Sequence, residues 1–414
     1  MMIRYARILN RALTSATVVM SLAIVGWSQQ PSITWLGTLG GNFGYAFGVS
    51  ADGNVVVGWA TNAAGRARGF RWTVSGGMQD LGTLPGGSFS YAFGVSADGN
   101  VVVGWSNDAS GRALAFRWTA SGGMQDLGTL GGEDSKAYGV SADGSMVVGS
   151  ARDSTDQLSA FRWTASGGMR DLDSTLGGDF SEAYGVSANG SVVVGSARDS
   201  TDQLRAFRWT VSRGMQDLGT LPDGYDSFAY GVSADGSVVV GGAFNADYQN
   251  RAFRWTASGG MQDLGALDGD FSEAYGVSAD GNVVVGWVRN AGGQNRAFRW
   301  TATGGMEDLN ISYAPLLTDG SILQQARAIS PNGRYIVGFG YNAATERREA
   351  FLLDTGFPLR GDVNRNGCVD DSDLLAALFA FGGQGYRNED LNWDGTIDDA
   401  DLLQVLFHFG SGCQ

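Results

Sequence analysis

One eleven-residue stretch, Gly94-Val95-Ser96-Ala97-Asp98-Gly99-Asn100-Val101-Val102-Val103-Gly104, governs what this chain can become, because it keeps returning. Related stretches occupy 48–58, 139–149, 185–195, 231–241 and 276–286, with a degenerate copy at 328–338. A recurrence of about 45 residues has to be interpreted before any single residue. Within each copy two short apolar runs flank a turn. The variants Ser330-Pro331-Asn332-Gly333 and Ser187-Ala188-Asn189-Gly190 show what the turn requires. Pro suits its second position, Asp or Asn its third, and Gly the left-handed residue that follows. The pattern predicts a β-hairpin with a three-residue loop.

Each copy then continues through a variable segment to Phe-Arg-Trp (70–72, 116–118, 161–163, 207–209, 253–255, 298–300), a Ser-Gly-Gly-like turn and a Met-x-Asp-Leu strand. Four short strands per repeat match one blade of a propeller. Runs such as Val55-Val56-Val57 are apolar on both faces, as a sheet sandwiched between neighbours demands. A β-solenoid is the alternative, but it would leave two ends to cap. The seventh copy lacks a Met-x-Asp-Leu strand, and Ile33-Thr34-Trp35-Leu36-Gly37-Thr38-Leu39 aligns with Met78-Gln79-Asp80-Leu81-Gly82-Thr83-Leu84. The expected fold is therefore all-β: a seven-bladed β-propeller over 29–357, closed by its N-terminal strand so that no sheet edge is left open. A four-residue loop at Val74–Gly77 would set Arg71 opposite Asp80, and likewise in five more copies, an opposite-charge pair that Leu352 and Trp35 replace in the closing blade.

The net charge of −14 speaks against nucleic acid or an anionic membrane as partner. One His and two Cys nearly exclude His-dependent triads and His or Cys zinc sites. Residues 1–28 have the pattern of an export signal peptide: Arg4, Arg7 and Arg11 precede a largely apolar run that ends in Gly26-Trp27-Ser28. The protein is expected to be secreted, extracellular or attached to a cell surface.

These repeats resemble the HAF family of extracellular repeats in their leucine–glycine–threonine–leucine, Val-Ser-x-Asp-Gly and Ala-Phe elements over about 33–354. The family's naming His is absent: Arg205, Arg251, Arg296, Leu114 or Ser159 stands there. The resemblance implies an exported propeller-like protein and little about chemistry. Recurring residues read as scaffold, so function is expected where the copies differ. The connections before the first strand and between the second and third vary, and by topology they share one face. That face carries Phe43, Phe89, Phe180, Tyr225 and Phe271, beside Asp134, Asp179, Glu182, Asp226, Asp270 and Glu273. A glycan or a cationic ligand is the expected occupant. The six Trp of the Phe-Arg-Trp strands are expected to pack between blades, and nothing singles out a catalytic pair of acids.

After Phe357-Pro358 the pattern changes. Asp362, Asn364, Asn366, Asp370 and Asp373 stand at positions 1, 3, 5, 9 and 12 of a loop with Gly367 at position 6. Asp390, Asn392, Asp394, Asp398 and Asp401, with Gly395, repeat it 28 residues later. Hard oxygens at this spacing suit calcium, with the position-7 carbonyls of Cys368 and Thr396 completing each set. Each loop runs into an apolar-patterned helix. Two such half-hands over 361–414 resemble a type I dockerin, which implies two calcium ions, a cohesin-type protein partner, and contact through Asp371-Ser372 and Asp399-Ala400. Cys368 gives the metal only its backbone, leaving its sulfur free for a disulfide with Cys413. The functional expectation is a non-catalytic binding or scaffold protein anchored through its tail. The competing expectation is a polysaccharide-degrading hydrolase or lyase tethered in the same way.

Overall fold

The computed structural model describes residues 30–172 and 176–413. The signal-peptide assignment lies outside the described residues. Each repeat is an antiparallel meander, as in Ser90–Val95, Val101–Asn107, Ala113–Thr119 and Gly123–Asp126, whose strands are hydrogen-bonded in sequence order. Sheets built this way succeed one another around a central channel, and the molecule is a β-propeller. Two of the sheets are joined to a neighbour by one parallel bridge each, Phe43 with Arg348 and Leu158 with Phe180.

The valine triplets explain how the sheets stack. Val56 packs with Ala46, Phe70, Trp72, Tyr335 and Val337 on one side of its sheet. Val55 and Val57 point the other way, into Leu81, Ala92, Val102 and Phe116 of the next repeat. One strand therefore contributes to two cores, so neither face can be polar. Phe70, Phe116, Phe161, Phe207, Phe253 and Phe298 are wholly buried, and Trp72, Trp118, Trp163, Trp209 and Trp300 nearly so. These tryptophans pack between sheets, as their recurrence implied.

The Ala-Asp-Gly turns are locked by side chains. Ser50 Oγ accepts from Val55 N–H at 2.9 Å, while Asp52 Oδ1 accepts from Ser50 Oγ at 2.6 Å and from Asn54 N–H at 2.9 Å. Because the Ser50 hydroxyl takes that amide, the loop holds four residues, Ala51–Asn54, one more than the turn pattern predicts. The turns also bond to each other. Ala51 N–H donates to Ala97 O, Ala97 to Ala142, Ala142 to Ala188, Ala188 to Ala234, Ala234 to Ala279, and Ala279 to Pro331, at 2.9–3.1 Å. Pro331 accepts but has no N–H to pass the bond on.

The N-terminal strand Ser32–Trp35 pairs antiparallel with Arg347–Asp354, the third strand of the last repeat, with Trp35 opposite Phe351. Leu36 N–H continues the ladder to Ala350 O at 2.9 Å, and Leu36 is buried in the core shared with Ala46 and Tyr335.

The expected pairing of the repeated Arg and Asp is not found. Arg71 faces Gln79, and Asp80 faces Phe70. Thr73 pairs with Gly77, so the loop is Val74–Gly76, one residue shorter than assumed, and every partner shifts by one. The Asp instead closes a local turn, Asp80 Oδ1 accepting from Gly82 N–H at 2.8 Å. The Arg reaches the next repeat: Arg71, Arg208 and Arg254 donate to the carbonyls of Gly99, Gly236 and Gly281 at 3.2, 2.9 and 3.1 Å. They clamp neighbouring sheets, with no carboxylate needed.

Before the last repeat the chain inserts a short helix, α1 (Leu309–Ser312), capped by Asp308, which buries Leu309 and Tyr313. The tail contributes α2 (Asp371–Ala380) and α3 (Asp399–His408), each opened by a reciprocal capping box, Asp370 with Asp373 and Asp398 with Asp401. Among the described residues no helix is long and apolar enough to cross a membrane.

Candidate functional site

The residue immediately before each repeated Gly-Val-Ser faces the channel. Phe47, Phe93, Tyr138, Tyr184, Tyr230 and Tyr275 stand ring to ring, with successive centroids 5.2, 5.6, 5.4, 5.3 and 5.3 Å apart. Arg327 fills the remaining place, its guanidinium 4.0 Å over Tyr275 and 5.5 Å from Phe47. Phe339 is a third ring near the cation, at 5.8 Å, and such contacts suit a partly buried guanidinium. Sequence reasoning passed over this circle because recurring aromatics read as scaffold. The signal was the break at Arg327, where one charge replaces a series of rings.

The carboxylates expected on the variable face divide in two. Glu182 accepts from Tyr184 OH at 2.6 Å and Ser150 Oγ at 3.1 Å, and Glu273 accepts from Tyr275 OH at 2.5 Å and Trp287 Nε1 at 3.1 Å. Burial, and after it the neighbouring carboxylates, pushes the Tyr184 and Tyr230 phenols well above their usual range, so they stay neutral donors. Asp134 and Asp226 hold backbone, accepting from Ala113 and Leu204 N–H at 3.0 and 2.9 Å.

The five predicted face aromatics do not form one ring of free platforms. Phe43 and Phe89 are exposed. Phe180 and Phe271 lie beneath Arg198 and Arg289, and Tyr225 stacks on Phe244 with Tyr248 beside it. A second aromatic run sits closer to the channel: Phe339, Tyr45, Trp59, Tyr91 and Trp105 follow one another at 4.4–5.4 Å, with Lys136 over Trp105. It occupies one arc of the circle only.

The two acidic tail loops are built alike. Asp362 accepts from Asn366 and Gly367 N–H at 3.1 and 2.9 Å, and Asp390 from Asp394 and Gly395 N–H at 3.2 and 3.0 Å. Asp373 accepts from Asn364 and Asp370 N–H, and Asp401 from Asn392 and Asp398 N–H. All four carboxylates are buried. Burial, with Asp401 and Asp394 nearby, pushes the Asp390 carboxyl up to about 7. Burial raises Asp362 and Asp401 as well. Buried acids held only by amides fit a hard cation, which would supply the missing positive charge. Among the described residues no three His, Cys, Asp or Glu side chains gather in metal-holding geometry, and the sets here depend on Asn and carbonyl oxygens too. Asn364 Nδ2 donates to Ser372 Oγ, and Asp371, Ser372, Asp399 and Ala400 are exposed on the first helical turns. Cys368 and Cys413 form a disulfide, tying the first loop to the end of the chain.

The loops also touch the ring. Arg365 and Trp393 occupy position 4 of the first and second loop, both with left-handed backbone. Arg365 pairs with Asp280 of an Ala-Asp-Gly turn. Trp393, 4% exposed, lines the end of a channel cavity of about 350 Å³ together with Ala97, Ala142, Ala188, Ala234 and Ala279. Arg360 donates to Tyr335 OH at 2.6 Å, and Arg334 to Pro358 O at 3.3 Å. The turn-face mouth is stoppered by the tail.

A β-propeller with a helical, acid-looped tail seated on one mouth is the class that fold and site define. No protein-family model and no curated protein matches the sequence. Among solved structures the chain is similar to TolB from Acinetobacter baumannii, with 14% identity over 64% of this chain and 63% of that one, TM-score 0.45. It thus spans under two thirds of that protein's length. It is also similar to the β-propeller domain of the Trilobed protease from Pyrococcus furiosus, with 10% identity over 75% and 96% of the two chains, TM-score 0.49. The propeller assignment stands on the strand pairings above.

Proposed function

We propose that the chain is a secreted, non-catalytic binding protein in which a seven-bladed ring, closed by its N-terminal strand, holds a ligand on its variable face. In this reading residues 361–414 are a dockerin-like anchor that takes two calcium ions and seats in a cohesin-type partner. Asp362, Asn364, Asn366, the Cys368 carbonyl, Asp370 and Asp373 would hold one ion. Asp390, Asn392, Asp394, the Thr396 carbonyl, Asp398 and Asp401 would hold the other. Calcium supplies charge neutralisation there, which couples the fold of the tail to the ion.

One observation carries this reading. The tail keeps its loops against the ring and turns matching apolar residues of its two helices outward. Phe379 and Phe407 are 87% and 72% exposed, and Leu375 and Leu403 are half exposed. Apolar side chains presented this way mark a protein contact. With the turn face covered, the variable face is the one left for a ligand. The test is capture of a cohesin module by the full chain with and without calcium, run beside a polysaccharide screen for retention and for reducing-end release. Calcium-dependent capture and retention without release are expected. Release of reducing ends would establish the degradative alternative.

A further inference from the structure

A cavity of about 450 Å³ opens at the seam where the last repeat meets the first and sixth. Tyr45, Gln294, Gln324, Gln325, Phe339 and Arg348 are among the residues that line it. Phe43, an exposed aromatic of the variable face, is bridged to Arg348 along the same seam. No acidic residue lines the cavity, in a chain whose net charge is −14.

Its polar groups are unevenly satisfied. Gln325 is 9% exposed, and its buried Oε1 has no hydrogen-bond donor. Gln294 Oε1 accepts from Arg296 at 2.9 Å, which leaves its amide N–H groups and one lone pair to be offered. Arg348 stands exposed at the rim, where no lining carboxylate can pair with it. Tyr45 and Phe339 meet edge to face at 4.4 Å and give the cavity a fixed apolar wall, Tyr45 being braced behind by Trp59 at 4.5 Å. Carboxamides both donate to and accept from hydroxyls, and a guanidinium favours a carboxylate over any neutral group.

We propose that this cavity is a subsite for a carboxylate-bearing pyranose, a uronic acid unit of an acidic polysaccharide. The sugar hydroxyls meet the carboxamides that line the cavity, and the carboxylate pairs with Arg348. This rests on the reading that the ring holds a ligand on its variable face, and it names where and what.

The test is calorimetric titration of the full calcium-loaded chain with an oligogalacturonate and with a neutral galacto-oligosaccharide of equal length. The acidic probe is expected to bind more tightly by roughly tenfold or more, and less tightly as salt is raised. Arg348→Ala should abolish that preference at unchanged melting temperature. Gln325→Leu separates binding from folding: removing an orphaned buried acceptor leaves stability equal or higher, while affinity for the acidic probe falls. Equal binding of the two probes, or a silent Arg348→Ala, overturns the subsite and leaves the wider ligand-face reading standing. If neither probe binds but other polysaccharides do, the subsite alone is again lost. If none binds, both readings fail.

Discussion

Gly53 and Gly65 carry nearly the same backbone, φ +74° and +73°, yet they answer different demands. A Cβ on Gly65 would meet nothing within 4 Å, so only the left-handed conformation resists a side chain there. A Cβ on Gly53 would stand 2.6 Å from the ring of Tyr335, which belongs to the last repeat and packs across the closure. Gly65→Ala should cost about 1 kcal/mol, and Gly53→Ala about 1–3 kcal/mol more through overpacking. Urea denaturation of the two variants measures the difference. Equal losses would mean that Tyr335 yields freely and does not brace the seam. The same scale shows what the sequence concealed. Arg71 and Asp80 recur together and carry opposite charge, which suggested a pair, but each is satisfied separately, by Gly99 O and by Gly82 N–H. Co-occurrence inside a repeat says that both are needed, not that they touch.

At the scale of the element, the strands were legible because their demands are local. Valine triplets, a fixed turn and a recurring Phe-Arg-Trp leave little choice of secondary structure, and the pairing of Ser32–Trp35 with the last repeat followed from counting strands. Register was not legible, since one residue of loop length exchanges every cross-strand partner. Nor was α1, because four residues of inserted helix have no periodicity to detect. The tail helices were visible through their apolar spacing, though not their reciprocal caps. The channel circle was half visible: its aromatics repeat, but only the assembled sheets bring them within contact of one another. Closure itself can be tested at this scale. Removing residues 30–36 takes away a four-residue ladder and the buried Leu36, and leaves the Arg347–Asp354 strand with an open edge. A loss on the order of 5 kcal/mol is expected, since deletion of one buried Leu side chain alone costs about 2–5 kcal/mol. Added back as a peptide, the same segment should restore part of it. An unchanged melting temperature would show that the ring is held shut without its first strand.

For the whole molecule, the contact between tail and ring decides which surfaces are available. Arg365 and Trp393 stand at the same position of two similar loops, so the geometry that would hold the ions also aims the two side chains that grip the turn face. Burial opposes ionisation of Asp280, yet the Ser278 hydroxyl and Arg365 outweigh it and hold the carboxyl below its ordinary range. A depressed carboxylate contributes its stabilisation above the ordinary carboxylate pKa and loses it as pH falls through the lowered value, so docking should weaken in acid. Chelation should act more strongly, because the loops themselves lose their shape and Trp393 leaves the channel mouth. Its fluorescence should then shift to the red and become accessible to a quencher, which a Trp393→Phe control assigns to that residue. Arg365→Asp should loosen the tail with calcium present, read as faster proteolysis at 355–361. Asp280→Arg placed in the same chain should slow it again by re-forming the pair in reverse. If calcium removal leaves Trp393 shielded, and the charge swap brings no recovery, the stopper is held by packing alone and the loops have no hold over the channel.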